Sequence, residues 1–96
     1  MSAGQVPATF PLGQVVATPG ALAALQVTGE NPFTFLQRHS QGDWGELDAN
    51  DVQENELALA YGLRLLSAYS LADGTRIWII TESDRSATTI LLPSEY

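Results

Sequence analysis

At Leu63 the chain changes its hydrophobic period, and that change constrains the fold more than any other feature of its 96 residues. Residues 63–71, 75–81 and 87–92 are rich in β-branched, aromatic and aliphatic side chains with turn signals between them, which predicts three strands. Asp73-Gly74 is a two-residue hairpin signal, because such a turn needs φ > 0 at its central positions. In that register Tyr69 faces Trp78 and Leu71 faces Arg76. Ser83-Asp84-Arg85-Ser86 makes the second connection and Pro93 stops the last strand, giving an antiparallel meander. Ile77-Trp78-Ile79-Ile80 is apolar without alternation. The middle strand should therefore be covered on both faces; helices cover one, and for the other the sequence names no cover, a partner or a second copy being one candidate.

Upstream the period is helical. Gln14–Ala17 is a short extended candidate. Thr18-Pro19 and Asn31-Pro32 each pair an N-cap with a first-turn proline; Gly29 and Gly42 supply stops, so short helices are expected to Gly29 and over 32–40. A third, capped by Asp48 or Asn50, runs to about Ala60, with Asp51 and Glu54 in its first turns, where the helix dipole favours negative charge. The expected fold class is α+β: two or three short N-terminal helices on a three-stranded antiparallel meander, with or without one extra N-terminal strand. The Pro- and Gly-bearing stretch 1–12 is expected to be a flexible arm, and 13–96 a single domain.

Eleven acids against four bases, all arginine, give a net charge of −7. Six of the acids (Asp43, Glu46, Asp48, Asp51, Glu54, Glu56) fall between residues 43 and 56, where there is no base. Such a surface disfavours nucleic acid and anionic membranes and suits a cationic protein. Cysteine is absent, which removes disulfides and thiolate sites. No apolar run reaches the length of a membrane span and no signal-peptide pattern opens the chain, so a cytoplasmic setting is expected. Neither a metal site nor a cofactor is expected, because no diagnostic ligand spacing, EF-hand loop, phosphate loop or dinucleotide fingerprint is present.

Three places can carry chemistry. His39, the only histidine, lies in the last turn of the second helix, where it can cap carbonyls as an imidazolium, pair with Asp43, or act as a general base. Trp44, between two glycines and beside Asp43, can anchor a partner or fold into the core. Glu82 to Ser86, followed by Thr88, places acid, base and hydroxyl on one connection. With His39 for proton transfer and Arg85 and Arg64 for phosphorane charge, Thr88 would complete a phosphodiester-cleaving set. The bland alternative is a turn in which Arg85 pairs with Asp84 or Glu82.

The strings Arg38-His39, Gly42-Asp43-Trp44-Gly45, Arg64 to Tyr69, Trp78 to Ser86 and Leu91-Leu92-Pro93 resemble short proteins carried on bacterial plasmids and integrative conjugative elements. The resemblance spans Leu12 to Tyr96; it implies a mobile-element setting, and neither an activity nor residue roles come with it. The order of elements is also similar to small messenger-RNA-cleaving toxins and the barnase/EndoU/colicin nuclease group, although those toxins are usually basic. The leading expectation is an acidic accessory protein that binds a basic partner, as an inhibitor of a host defence system or in the manner of an antitoxin. Asp43, Trp44, Glu46, Asp48, Asp51 and Glu54 would form its surface. A metal-independent ribonuclease using His39, Arg85, Arg64 and Thr88 is the alternative. A structural subunit dimerising through the meander's open edge is the third reading.

Overall fold

Each helix starts where a side-chain acceptor precedes the first turn. In the computed structural model, which describes residues 8–96, Thr18 Oγ1 accepts from Ala21 N at the head of α1 (Pro19–Thr28). Asn31 Oδ1 accepts from Phe33 N at 2.9 Å to open α2 (Pro32–Ser40). Asp48, not Asn50, caps α3 (Ala49–Tyr61), accepting from Asp51 N at 2.8 Å. Gly29 and Gly62 close α1 and α3 in the left-handed conformation that their missing Cβ permits. α2 ends on Gln41 instead of a glycine.

The fold is α+β with one mixed sheet. β2 (Leu65–Ser70), β3 (Arg76–Thr81) and β4 (Ala87–Leu91) form the expected meander, and β1 (Gln14–Ala17) adds to it in parallel beside β4, giving the order β1-β4-β3-β2.

The hairpin register differs by one residue from the one read off Asp73-Gly74. Tyr69 pairs with Ile77, Ala68 with Trp78 and Ser70 with Arg76. The loop holds three residues: Leu71 N donates to Thr75 O at 2.7 Å, Gly74 N donates to Leu71 O at 2.9 Å, and Gly74 sits at φ 87°. A turn followed by a left-handed glycine is the other common hairpin solution for an Asp-Gly pair. The extra residue sets which face each side chain takes. Ile77 and Ile79 join Tyr69 and Ile90 on the helix side, packed with Ala21, Leu25, Phe35 and Leu36. Burying each isoleucine there contributes roughly 1.5–3 kcal/mol.

The opposite face carries Ala68, Trp78, Ile80 and Leu91. Part of the cover for this face comes from the chain's own last residues: after the 3-10 turn Pro93–Glu95, the Tyr96 ring meets Trp78 edge-on with centroids 5.6 Å apart. Glu95 ties that segment to the head of α1 by accepting from Thr18 Oγ1 at 2.5 Å and from Gly20 N at 3.2 Å.

Both edges of the meander are occupied, which corrects the expectation that one is open. β1 covers β4. Along β2, Ala68 N donates to Trp44 O and Glu46 N to Ala68 O, at 3.2 and 2.7 Å. Asn55 of α3 holds Leu66 from both sides, its Nδ2 donating to Leu66 O at 2.6 Å and its Oδ1 accepting from Leu66 N at 3.1 Å. The side chain of Asn55 thus takes the place of a neighbouring strand's amide. The expected arm over 1–12 falls partly outside the described residues. From Thr9 onward the chain is fastened: Thr9 N and Oγ1 both donate to Ser40 O, and Phe10 is buried beside Trp44 and Leu65. One aromatic in a Pro-bearing stretch leaves no periodic trace, so the packed chain begins before residue 13. Among the described residues no helix is long and apolar enough to cross a membrane.

Candidate functional site

His39 projects from the last turn of α2 into the sheet and is fully buried. Its Nδ1 lies 2.5 Å from Ser67 Oγ on β2, and its Nε2 lies 2.9 Å from Thr81 Oγ1 on β3. Thr81 Oγ1 is 2.8 Å from Thr88 Oγ1 on β4, and Thr88 Oγ1 donates to Leu12 O at 2.7 Å. These bonds fix every proton in the chain. A carbonyl only accepts, so the single hydroxyl proton of Thr88 goes to Leu12 and Thr88 accepts from Thr81. Thr81 has then spent its own proton and accepts from His39 Nε2–H. The neutral imidazole leaves Nδ1 as the acceptor for Ser67. Ser67, Thr81 and Thr88 are each fully buried, at inward positions on three adjacent strands. Phe10 and Trp44 close the pocket edge-on, their ring centroids 5.2 and 5.7 Å from that of His39.

This setting holds His39 neutral. Burial, reinforced by the nearby Arg85 cation, lowers its pKa from 6.5 to about 4. The expected imidazolium at the helix end is therefore absent at neutral pH, and Asp43 pairs with Arg38 instead of His39. A general acid or base must come within hydrogen-bond reach of its substrate. His39 has both nitrogens engaged and no solvent-facing surface, so the geometry makes it a satisfied core group.

The other members of the proposed cleavage set do not converge on it. Thr88 belongs to the same buried chain. Arg85 is used up on backbone: Nη1 donates to Leu63 O at 2.6 Å, to Glu82 O and to Ser83 O, and Nη2 donates to Ala58 O at 3.2 Å near the end of α3. Its guanidinium also stands 5.7 Å from the Phe10 ring centroid. The expected carboxylate pair at Arg85 is absent, since the Glu82 carboxylate pairs with Arg64 at 3.4 Å. Arg64 also donates to the hydroxyl of Tyr96, the ring that covers Trp78 on the face away from the helices, so the sheet separates Arg64 from His39.

Comparison of the chain with family models, curated proteins and solved structures finds no match.

The acidic stretch divides into engaged and unengaged carboxylates. Asp43 accepts from Arg38 Nε at 2.7 Å, which holds its pKa below the usual carboxylate value. Glu46 accepts from Ser70 Oγ at 2.8 Å and from Arg76 Nη2 at 2.9 Å, and its pKa is likewise lowered. Glu56 accepts from Trp44 Nε1 at 2.9 Å. Trp44 itself is 4% exposed, stacked on Phe10, so it serves the core and not a partner surface. Asp48 caps α3. Asp51 and Glu54 are exposed, and their carboxylates meet no cationic group among the described residues. The base-free acidic surface is thus the first two turns of α3, narrower than the stretch 43–56. Among the described residues no cluster of His, Asp or Glu could hold a metal ion.

Asn55, Ser67 and Thr81 escaped sequence reasoning, which gives Thr88 a different role. Asn55 looked like one more polar residue of an acidic helix. Within the hydroxyl row only Ser67 carried a usable sign, since it interrupts the apolar run of β2, whereas Thr81 ends β3 and Thr88 stands beside another threonine.

Proposed function

We propose that this protein is a small acidic accessory factor, carried on a mobile genetic element, that acts by docking the first two turns of α3 onto a basic surface of a partner protein. The observation that carries this reading is the placement of Asp48, Asp51 and Glu54 on the exposed start of one helix without a facing guanidinium. Arg38 and Arg76 neutralise Asp43 and Glu46, which precede that helix, and this concentrates the remaining field on α3. Exposed carboxylates so grouped raise the association rate with a cationic partner and make it fall with salt, because the screening length contracts to about 8 Å at physiological ionic strength. The resemblance to plasmid and conjugative-element proteins supports the setting, and a defence nuclease, a toxin or a DNA-handling enzyme is the partner class.

The test is affinity capture with the intact chain from host lysate at about 20 and 300 mM salt, beside a variant carrying Asp48→Asn, Asp51→Asn and Glu54→Gln. Asparagine preserves the cap at 48 while removing its charge. A basic protein retained only at low salt and lost by the variant is the expected result. Equal retention by both chains, or an acidic partner unaffected by salt, would overturn the reading.

A further inference from the structure

We infer that β1 is a self-association edge, through which two copies of this chain pair their β1 strands antiparallel and join their sheets into one. Gln14 N donates to Ser86 O and Thr18 N to Ile90 O, both at 2.9 Å, on the β4 side. Backbone direction alternates along a strand, so the N–H and C=O groups of Val15 and Ala17 point to the open side. An edge of this kind is ordinarily blunted by lysine, proline, a bulge or a covering segment. Gln14–Ala17 contains no lysine, proline or bulge, no described segment covers it, and Val15 and Val16 are 41% and 43% exposed. The contrast with β2 is sharp, because there Asn55 and the Gly45 bridge occupy the outward groups of Leu66 and Ala68.

Charge selects a second copy as the occupant. A molecule of net charge −7 repels itself least where free carboxylates are fewest; no charged side chain precedes Glu30, and Glu95, which lies at the end of β1, is engaged by Thr18 and Gly20. The acids of α3 lie beside β2, at the far end of the sheet from β1. In the paired sheet the two β2 strands would stand about 34 Å apart at the usual strand spacing, several screening lengths away. β1 itself carries no charged side chain, and the carboxylate at its end, Glu95, is already bonded to Thr18 and Gly20, so the strand offers no free charge to recruit a charged peptide.

Geometry then sets register and size. Pairing Val15 with Ala17 of the other copy satisfies the outward groups of both strands and places the two Val16 side chains opposite each other on the two-fold axis. Because β2 is closed, each copy offers a single edge, so assembly stops at the dimer and does not continue into a fibre. A four-residue edge makes a small interface, so the dimer is weak.

Sedimentation equilibrium of the full chain from roughly 10 μM to 1 mM tests this. The mass should rise from 10.3 kDa toward twice that value, and added salt should not weaken the association. Val16→Lys, which sets like charges face to face, should weaken the dimer at least tenfold. Val15→Pro, which deletes an outward N–H while leaving the β4 pairing intact, should do the same. Amide exchange supplies a measure free of substitution: Val15 and Ala17 should gain protection with concentration while Leu66 does not change. A mass of 10.3 kDa throughout, a dimer undiminished by folded Val16→Lys, or concentration-independent exchange at Val15 and Ala17 would each overturn the proposal.

Discussion

Acidification from pH 7 to pH 5 should cost this fold about 2 kcal/mol through His39 alone. The folded imidazole has its pKa lowered from 6.5 to about 4 by burial, with a further push from Arg85. The unfolded chain therefore binds a proton below pH 6.5 that the folded chain refuses, and stability falls with pH at up to about 1.4 kcal/mol per pH unit. The contribution is complete above pH 6.5 and is lost as pH drops toward 4, below which the folded state also takes the proton. His39 is the only histidine, so no other side chain titrates ordinarily in that window. The carboxylates with lowered pKa values (Asp43, Glu46, Asp73, Asp84 and Glu95) act at lower pH, as protonation removes the favoured charged form. The assay is urea unfolding at half-unit pH steps for the native chain and for His39→Gln, whose amide can accept from Ser67 and donate to Thr81. Subtracting the two profiles isolates the histidine. Parallel profiles between pH 7 and 5 would refute the claim that His39 is held neutral by its surroundings.

Four further substitutions, at Arg85, Gly45 and Gly62, probe backbone conformation and close contacts. Arg85 holds a left-handed backbone (φ 61°) while its guanidinium binds the carbonyls of Leu63, Glu82, Ser83 and Ala58. Arg85→Ala should lose about 2–3 kcal/mol, and Arg85→Gly about 1 kcal/mol less because glycine relieves the backbone strain; an alanine variant at least as stable as the glycine one in urea would contradict this. Gly45→Ala would set a Cβ 2.0 Å from Ala68 O at φ 75° and should cost about 3 kcal/mol or more, read as the shift in thermal midpoint. Gly62→Ala, at φ 67° with nothing within 4 Å, should cost only about 1 kcal/mol, and equal losses at the two sites would remove the contact argument.

What could be read from the residues was local. Thr18-Pro19, Asn31-Pro32 and the glycines after α1 and α3 mark helix ends because capping acts within a few positions. The three strands of the meander are legible for the same reason. Their register is not, since Asp73-Gly74 suits both a two- and a three-residue loop and Ile77-Trp78-Ile79-Ile80 reads alike from either face. The parallel pairing of β1 with β4 joins segments more than seventy residues apart, and nothing in Gln14–Ala17 names its partner. The charge run was visible, but which of its carboxylates are neutralised depends on Arg76, thirty residues from Glu46. The depth of His39 likewise follows from hydroxyls on three strands.

The polar row beneath α2 also explains why the helix layer sits where it does. Leucine at position 39 would satisfy burial, yet it would leave the Ser67 hydroxyl without its acceptor and Thr81 without its donor, at a cost of about 1–3 kcal/mol for a stranded polar group. Apolar side chains slide past one another at little cost, whereas a row running Ser67, His39, Thr81, Thr88, Leu12 closes in one alignment of α2, three strands and the N-terminal segment. α3 is fixed with equal definition by Asn55, and that anchoring has a second effect. The helix that closes the β2 edge is the one displaying Asp51 and Glu54, so negative surface is tied to the blocked end of the sheet. β1 is left at the other end, where the carboxylate beside it, Glu95, is already engaged by Thr18 and Gly20. Asn55, with the Trp44–Glu56 and Arg85–Ala58 bonds to the same helix, thereby keeps the two contacts proposed for this molecule at opposite ends of the sheet, where self-pairing and capture of a cationic partner do not compete for one surface.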